Sequence, residues 1–308
     1  MDLVTGATGI VGREIVAALL SAGGKVRALR RERSDVEGVE KMLGRRGVSL
    51  EKLIWVEGDA RDVYAMMDAV EGCSRVYHTA AVISFRERDA ELLFDVNVSG
   101  TAAVVNAMLE VGVKELVYVS SVAALDGAEI PEKADYAVSK YKAELEVWRG
   151  GEEGLEVCMV RPTIILGEGD FSKSSGKLFL QVDKGLPVYP VGANGFVASK
   201  DVASACLAIA EAGLWGKAFV LNGANMKFKD AFEKIAASIG AKAPARPLKR
   251  WMSNLVCALP FVQNKIGLKA MQEDTVYDGS KVVEAIDGWS YSDIDEVIKE
   301  VGKVYLAG

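Results

Sequence analysis

Thr5-Gly-Ala-Thr-Gly-Ile-Val-Gly12 decides how this chain is read. Leu3-Val4 starts a strand just before it. Just after it, apolar residues recur at Ile10, Val11, Ile15, Val16, Leu19 and Leu20, the spacing of one helix face. Glycines between a strand and a helix let backbone N–H groups approach an anion, and the helix N-terminus adds a favourable field. A dinucleotide pyrophosphate needs that arrangement. Contacts are expected from Gly6, Thr8, Gly9 and Ile10, while Gly12 permits close packing of helix on sheet. Gly23-Gly24 ends the helix, as glycine does at C-terminal caps.

Outward from this turn, short apolar runs alternate with helical patterns, the signature of a parallel sheet wrapped by helices. Strands are expected at Lys25–Leu29, Leu53–Glu57, Arg75–His78, Glu115–Val119 and Leu155–Arg161. Helices are expected near Asp35–Leu43, Asp62–Val70, Glu91–Val111 and Tyr136–Trp148, with Ser34-Asp-Val-Glu37 as a capping box for the first of these. After Pro162 the pattern loosens into loops at Gly167–Gly176 and Leu186–Gly195, a helix near Asp201–Ala212 and a strand near Ala218–Leu221. The expected fold is α/β, a Rossmann-type doubly wound parallel sheet with a smaller C-terminal substrate-binding portion. Residues 1–162 form the nucleotide-binding core, completed by segments near 196–222, and residues 163–308 mainly the substrate-binding portion.

Half of the 308 residues are apolar, enough for a sizeable core. A formal charge of −6 argues against a nucleic-acid partner, which favours a basic face. Cys73, Cys158, Cys206 and Cys257 are scattered without Cys-x-x-Cys spacing, so no metal site is expected and reduced thiols of a cytoplasmic protein are the better reading. The turn begins at the fifth residue and leaves no room for a secretory signal. The apolar stretches Val202–Ala210 and Leu255–Val262 are shorter than the roughly 20 residues of a membrane span. The second, preceded by Trp251 and Met252, reads as a contact with a membrane surface or as a core or lid helix.

The second strand runs into Ala28-Leu29-Arg30-Arg31, with Arg33 close behind. A carboxylate at this place would bond a ribose 2′-hydroxyl, whereas arginine suits a 2′-phosphate through paired hydrogen bonds. The plainer alternative is a solvated basic loop. NADP is the expected cofactor, with NAD possible. Gly58-Asp59-Ala60 follows the third strand, where Asp59 either meets the adenine amino group or caps a helix together with Asp62.

Tyr136 and Lys140 stand four residues apart in Asp135-Tyr-Ala-Val-Ser-Lys140 and share one helix face. An adjacent ammonium lowers the pKa of a phenol, and a more acidic phenol exchanges protons with an alcohol or carbonyl. Ser120-Ser121 closes the fifth strand at the end that faces a ligand crevice. Ser121 is expected to orient a substrate oxygen, Tyr136 to give or take a proton, and Lys140 to tune the tyrosine. Each has a plainer explanation, since serines cap strand ends and Tyr-x-x-x-Lys recurs on helices by chance. Their order after the glycine turn favours chemistry.

In this the chain resembles the extended short-chain dehydrogenase/reductase family, within the NAD(P)-dependent epimerase/dehydratases. The resemblance is carried by Thr5-Gly6-x-x-Gly9-x-x-Gly12, Gly58-Asp59-x-x-Asp62, His78-Thr79-Ala80-Ala81, Asn97-Val-Ser-Gly-Thr101, Ser120-Ser121, Tyr136-x-x-x-Lys140, Arg161-Pro162, Asp201-Val202-Ala203 and Ser280-Lys281. It implies that Ser121, Tyr136 and Lys140 are the catalytic triad and that Lys140 also holds the nicotinamide ribose. It implies that Asn97 braces the helix beside the cofactor, that Ala60 and Ala80 line it, and that Pro162 brings backbone near the carboxamide. His78, the single histidine, is implied to be structural rather than an acid–base group. A homodimer built through the helices near Glu91–Val111 and Tyr136–Trp148 is implied as well.

Two departures narrow the reading. Only fourteen residues separate Ser121 from Tyr136, which trims or opens the lip of the pocket. Where sugar-nucleotide epimerases of this family carry an arginine that grips a diphosphate, this chain has Asn194-Gly195 before Phe196-Val197, with Lys173, Lys177 or Lys200 as conceivable substitutes. His-Thr-Ala-Ala and the missing arginine make the chain look closer to dihydroflavonol-reductase-like and 3β-hydroxysteroid-dehydrogenase-like members. Phe85, Phe171, Phe179, Tyr189 and Phe196, if they line the crevice, imply a small-molecule substrate that is partly apolar. The expected activity is hydride transfer between a carbonyl and a secondary alcohol. The rivals are a nucleotide-sugar epimerase or dehydratase with tightly held NAD, and a non-catalytic NADP sensor or scaffold.

Overall fold

The computed structural model describes residues 1–127, 135–253 and 265–307. The first six strands are β1 (Asp2–Thr5), β2 (Val26–Arg30), β3 (Leu53–Glu57), β4 (Arg75–His78), β5 (Glu115–Val119) and β6 (Glu156–Pro162). They are followed by β7 (Ile164–Leu166), β8 (Val188–Pro190), β9 (Ala193–Ala198), β10 (Lys217–Leu221), β11 (Ala224–Lys227) and β12 (Arg246–Leu248). Seven of them form one parallel sheet in the order β10-β6-β5-β4-β1-β2-β3. The chain runs outward from β1 to β3, then crosses to β4 on the other side of β1. The switch point between β1 and β4 opens a crevice at the strand C-termini, where ligands bind in such sheets.

Alternation along the strands feeds two cores, because successive side chains point to opposite faces. Val4 and Val117 join one apolar cluster, with Ile15 and Val16 of α1 (Gly12–Ser21), Val39 and Met42 of α2 (Val36–Arg45), and Val202 and Cys206 from Ser199–Glu211. Leu3, Leu116 and Tyr118 join the other, with Met66 of α3 (Val63–Val70). Val104 and Met108 from Gly100–Val111 and Ala143 and Val147 from Asp135–Glu152 complete it. The helix Ser199–Glu211 thus supports the same sheet face as α1, although it lies far later in the chain. A third cluster, centred on Phe179, Phe196, Phe228, Phe232 and Ile298, is the core of the later segments. There β9 runs parallel to β7 and antiparallel to β11, and β8 pairs with β12.

Two local expectations need correction. Asp35, not Ser34, is the N-cap of α2: its carboxylate accepts from Gly38 N at 3.0 Å, while Ser34 Oγ accepts from Arg31 N at 2.9 Å and tightens the preceding turn. A charged acceptor one residue later wins the cap. The helix expected over Glu91–Val111 is not uniform. It comprises α4 (Ala90–Leu93), a π-helical turn (Phe94–Ser99) and α5 (Gly100–Val111). The wide turn carries Asn97, whose amide bonds Val82 N at 2.8 Å and Val82 O at 3.0 Å. Such bulges mark functional sites.

Read as one run, Glu87–Val111 is long and apolar enough to cross a membrane, which exceeds the stretches weighed from the sequence. Half of its most apolar window is buried inside the protein, and Asn97 and Thr101 on it bond into the site, the pattern of a core helix. The stretch Leu255–Val262, Cys257 and part of the Ser121-to-Tyr136 connection lie outside the described residues.

Candidate active site

The glycine turn lies at the switch point. Gly6 has φ +64°, and a Cβ there would stand 2.7 Å from Ala80 N, so the turn closes directly on the segment after β4. A Cβ on Gly12 would come within 2.1 Å of Gly6 O, and Gly9 N donates to Gly6 O at 2.8 Å. Thr79 Oγ1 donates to Thr5 O at 2.8 Å and Ala80 N to Thr5 Oγ1 at 3.3 Å, fixing the two strand ends together. The result is a cradle of bare backbone at the start of α1, which fits a dinucleotide pyrophosphate. Ile10 borders it and lies against Gly169.

At the β2 end, Arg30 is engaged: its Nη2 pairs with Glu57 Oε2 at 2.9 Å across neighbouring strands. Arg31 and Arg33 are exposed. Arg13 is 4% exposed, donates to Thr8 O at 2.9 Å and approaches Asp35 at 3.9 Å, so a fourth guanidinium backs this corner. Asp59 accepts from Arg61 through both side chain and backbone, which hold its carboxyl below the usual range, while Asp62 alone caps α3. Ala60 is buried in the second core.

At the reacting end, α6 (Ala123–Gly127) follows Ser121, and α7 (Asp135–Glu152) presents Tyr136 and Lys140. Tyr136 is 8% exposed, lies beside the Ser121 hydroxyl and packs edge-on against Phe85 at 5.6 Å. Asn97 Nδ2 donates to Ser139 Oγ at 3.0 Å, and Ser139 Oγ donates to Tyr136 O at 2.8 Å. The π-helical turn thereby braces α7 one residue before Lys140. Pro162 ends β6, and its carbonyl accepts from Val122 N at 3.1 Å, tying that strand to the residue after Ser121.

Lys140 stands differently from the sequence expectation. Its ammonium donates to Tyr118 Oη at 2.7 Å and to the Val119 carbonyl at 2.9 Å. Tyr136 is pushed up to about 12, because burial opposes its ionised form more than the neighbouring Ser121 hydroxyl favours it. The expected lowering of this phenol by Lys140 is absent: the ammonium is directed at the strand end and its own proton affinity is reduced. Burial pushes Lys140 down to about 7, with Glu144 opposing.

His78 is fully buried between Thr5 Oγ1 at 2.6 Å and Thr101 Oγ1 at 3.0 Å, and burial drives it down to about 3. A neutral histidine with both nitrogens engaged is structural.

Three participants escaped the sequence reading. Tyr118 receives Lys140. Glu144 accepts two bonds from Arg161, at 2.9 and 2.7 Å, and one from Ser120 Oγ at 2.6 Å. The legible signal was spacing: Tyr136, Lys140 and Glu144 recur every four residues on one face. Arg13 gave no signal beyond following Gly12. The later aromatics need correction as well. Phe179 and Phe196 are core residues, and Phe171 packs on Tyr305 at 4.9 Å, because the third core requires large apolar side chains. Of the five aromatics named from the sequence, Phe85 is the one whose ring packs on Tyr136. No cluster of metal-ligating side chains occurs among the described residues.

Residues 3–221 match the NAD dependent epimerase/dehydratase family. The chain is 36% identical over 235 residues to sterol demethylase protein B of Methylococcus capsulatus, covering 72% of this chain and 69% of that protein. It is 31% identical over 188 residues to a dihydroflavonol 4-reductase of Hordeum vulgare, about half of each chain (54% and 53%). The fold superposes on a UDP-glucose-4-epimerase from Stenotrophomonas maltophila, solved with NAD and formylated UDP-arabinopyranose bound. That superposition has a TM-score of 0.79 at 20% identity and covers 99% and 98% of the two chains. With a seven-stranded parallel sheet, a glycine cradle at its switch point and a family match over residues 3–221, this chain belongs to the NAD-dependent epimerase/dehydratase family of enzymes.

Proposed function

We propose that the protein is an NADP-preferring oxidoreductase interconverting a carbonyl and a secondary alcohol on a partly apolar substrate. The observation that carries this reading is the placement of a buried Tyr136 beside Ser121, with Phe85 packed edge-on against the tyrosine ring. The bound nicotinamide supplies or accepts the hydride at the substrate carbon. Ser121 hydrogen-bonds the substrate oxygen, and Tyr136 gives its proton to that oxygen as the alcohol forms. Lys140 has three N–H donors, of which Tyr118 and Val119 take two, and the third serves a ribose hydroxyl. Gly6, Thr8, Gly9 and Ile10 hold the pyrophosphate, Asn97 braces α7, and Arg31 with Arg33 meets the 2′-phosphate.

Apolar surface at Phe85 supports a substrate such as a polycyclic alcohol or ketone, in keeping with the sterol and dihydroflavonol named for the two relatives. Asn194-Gly195 stands where the resemblance implies an arginine in sugar-nucleotide epimerases, and of the proposed substitutes Lys173 pairs with Asp170 and Lys200 with Glu300, which speaks against a nucleotide sugar. Leu92 and Leu145 are 45% and 47% exposed on the helices expected to meet a second copy, which supports a homodimer. Purified protein incubated with NADPH and a panel of polycyclic ketones should oxidise NADPH, and Tyr136→Phe should abolish turnover while still binding NADPH. Retained turnover in that variant removes the acid–base role, and NAD co-purifying with the protein would favour an epimerase.

A further inference from the structure

The reaction proposed above does not use the groups beneath Lys140. Tyr118 is 1% exposed, stacks on His78 at 5.5 Å and carries the Lys140 ammonium 4.4 Å from its ring centre. Donor and acceptor capacity alone places the hydrogens of Thr5, His78 and Thr101 in this buried cluster. Thr101 donates to Asn97 O at 2.6 Å, and Thr5 Oγ1 donates to His78 Nδ1. The histidine proton is therefore on Nε2 and donates to Thr101 Oγ1. The Tyr118 phenol accepts from Lys140, and its ring lies on the imidazole. Thr101 spends its one proton on Asn97, and only a ring stack joins His78 to Tyr118, so the cluster cannot pass a proton along its length. It is a strut, running from Lys140 to the first residue of the glycine turn.

We propose that Tyr118 is the positioning residue for Lys140, holding its ammonium against the end of β5 through a strut anchored by Thr101, His78 and Thr5. The inference rests on the reading of Lys140 as a member of the catalytic group. Titratable groups face the ammonium from three elements: His78 on β4, Tyr118 on β5 and Glu144 on α7, with Tyr136 one helical turn before the lysine. Arg161 on β6 is matched by Glu144. His78 stays neutral throughout the working range, so Tyr118 and Glu144 govern how firmly the lysine keeps its proton.

The test uses the intact, cofactor-free protein with 13C-labelled lysine, Lys140 being assigned by its loss in Lys140→Met. Tyr118→Phe keeps the ring and its stacking on His78 but removes the acceptor. The Lys140 titration midpoint should fall by roughly one pH unit, a tenfold loss of proton affinity. An unchanged midpoint overturns the proposal. Should Tyr118→Phe fail to fold, Thr101→Val releases the anchor instead and should move the midpoint in the same direction; no movement overturns the strut. The single histidine gives an independent reading in the unmodified protein, where nitrogen shifts should report the Nε2–H form and the Nδ1–H form would be incompatible. An unmoved Lys140 with Tyr136→Phe inactive defeats only the strut, whereas an active Tyr136→Phe defeats only the functional reading.

Discussion

Arg161 and Glu144 form a two-bonded ion pair beneath the candidate triad, with side chains 20% and 4% exposed. The pair joins β6 to α7, and the same carboxylate takes the Ser120 hydroxyl. Breaking such a pair leaves a desolvated charge behind, which costs far more than the pair contributes. Glu144→Gln should therefore destabilise the protein by about 3 kcal/mol in urea unfolding. The double variant Glu144→Gln/Arg161→Met should recover part of the loss, because the orphaned guanidinium is gone. Equal stability of single and double variants would show that the charge was never buried enough to matter.

The two arginines at the end of β2 should separate in function. Arg30 already pairs with Glu57, whereas Arg31 is exposed at the turn before Asp35. Arg31→Ala should weaken NADPH binding roughly tenfold, about 1.4 kcal/mol, and leave NADH nearly unaffected. Arg30→Ala should change the two affinities little and equally. Fluorescence titration of both nucleotides decides this. Equal loss in both variants would mean that the Glu57 pair opens for the phosphate.

Much of this architecture was legible in the sequence, for reasons that can be named. The glycine turn announced itself because Gly6 and Gly12 sit where any Cβ would collide with backbone. Strand positions followed from apolar runs, and helix ends from residues such as Gly23 and Asp62. Contacts between residues far apart in sequence left no local trace. The Lys140–Tyr118 bond spans 22 residues and depends on the register of β5 against α7. The aromatics of the later loops misled because a buried phenylalanine and a pocket-lining one look alike in composition. The π-helical turn at Asn97 was invisible, since its cause is a bond to Val82, fifteen residues away.

Direction of catalysis should depend on pH in opposite ways. Tyr136 keeps its proton up to about 12 in the cofactor-free site, so the phenol is ready to donate at neutral pH and reluctant to accept. Carbonyl reduction should be nearly flat from pH 6 to about 8 and decline in alkali. Alcohol oxidation should climb steadily with pH over the same range. Initial rates in both directions at saturating nucleotide test this. Oxidation independent of pH would exclude Tyr136 as the group that takes the proton.

Lys140 offers a stability signature separate from turnover. Its ordinary value is 10.5 and burial lowers it to about 7 in the folded protein. Below pH 7 both folded and unfolded chains hold the proton, and the fold bears the full cost of a buried ammonium. Between 7 and 10.5 the unfolded chain binds the extra proton, so the stability of the native protein rises with pH through this group. Lys140→Met has no proton to lose and escapes the cost at every pH. The variant should thus melt above the native protein at pH 6 while being inactive, and its advantage should shrink progressively towards pH 10. Other ionisable groups are common to both proteins and cancel in the difference. A constant gap in Tm across that range would mean that the lysine keeps its charge inside the fold, held there by Tyr118, Val119 and Glu144 more firmly than burial opposes it.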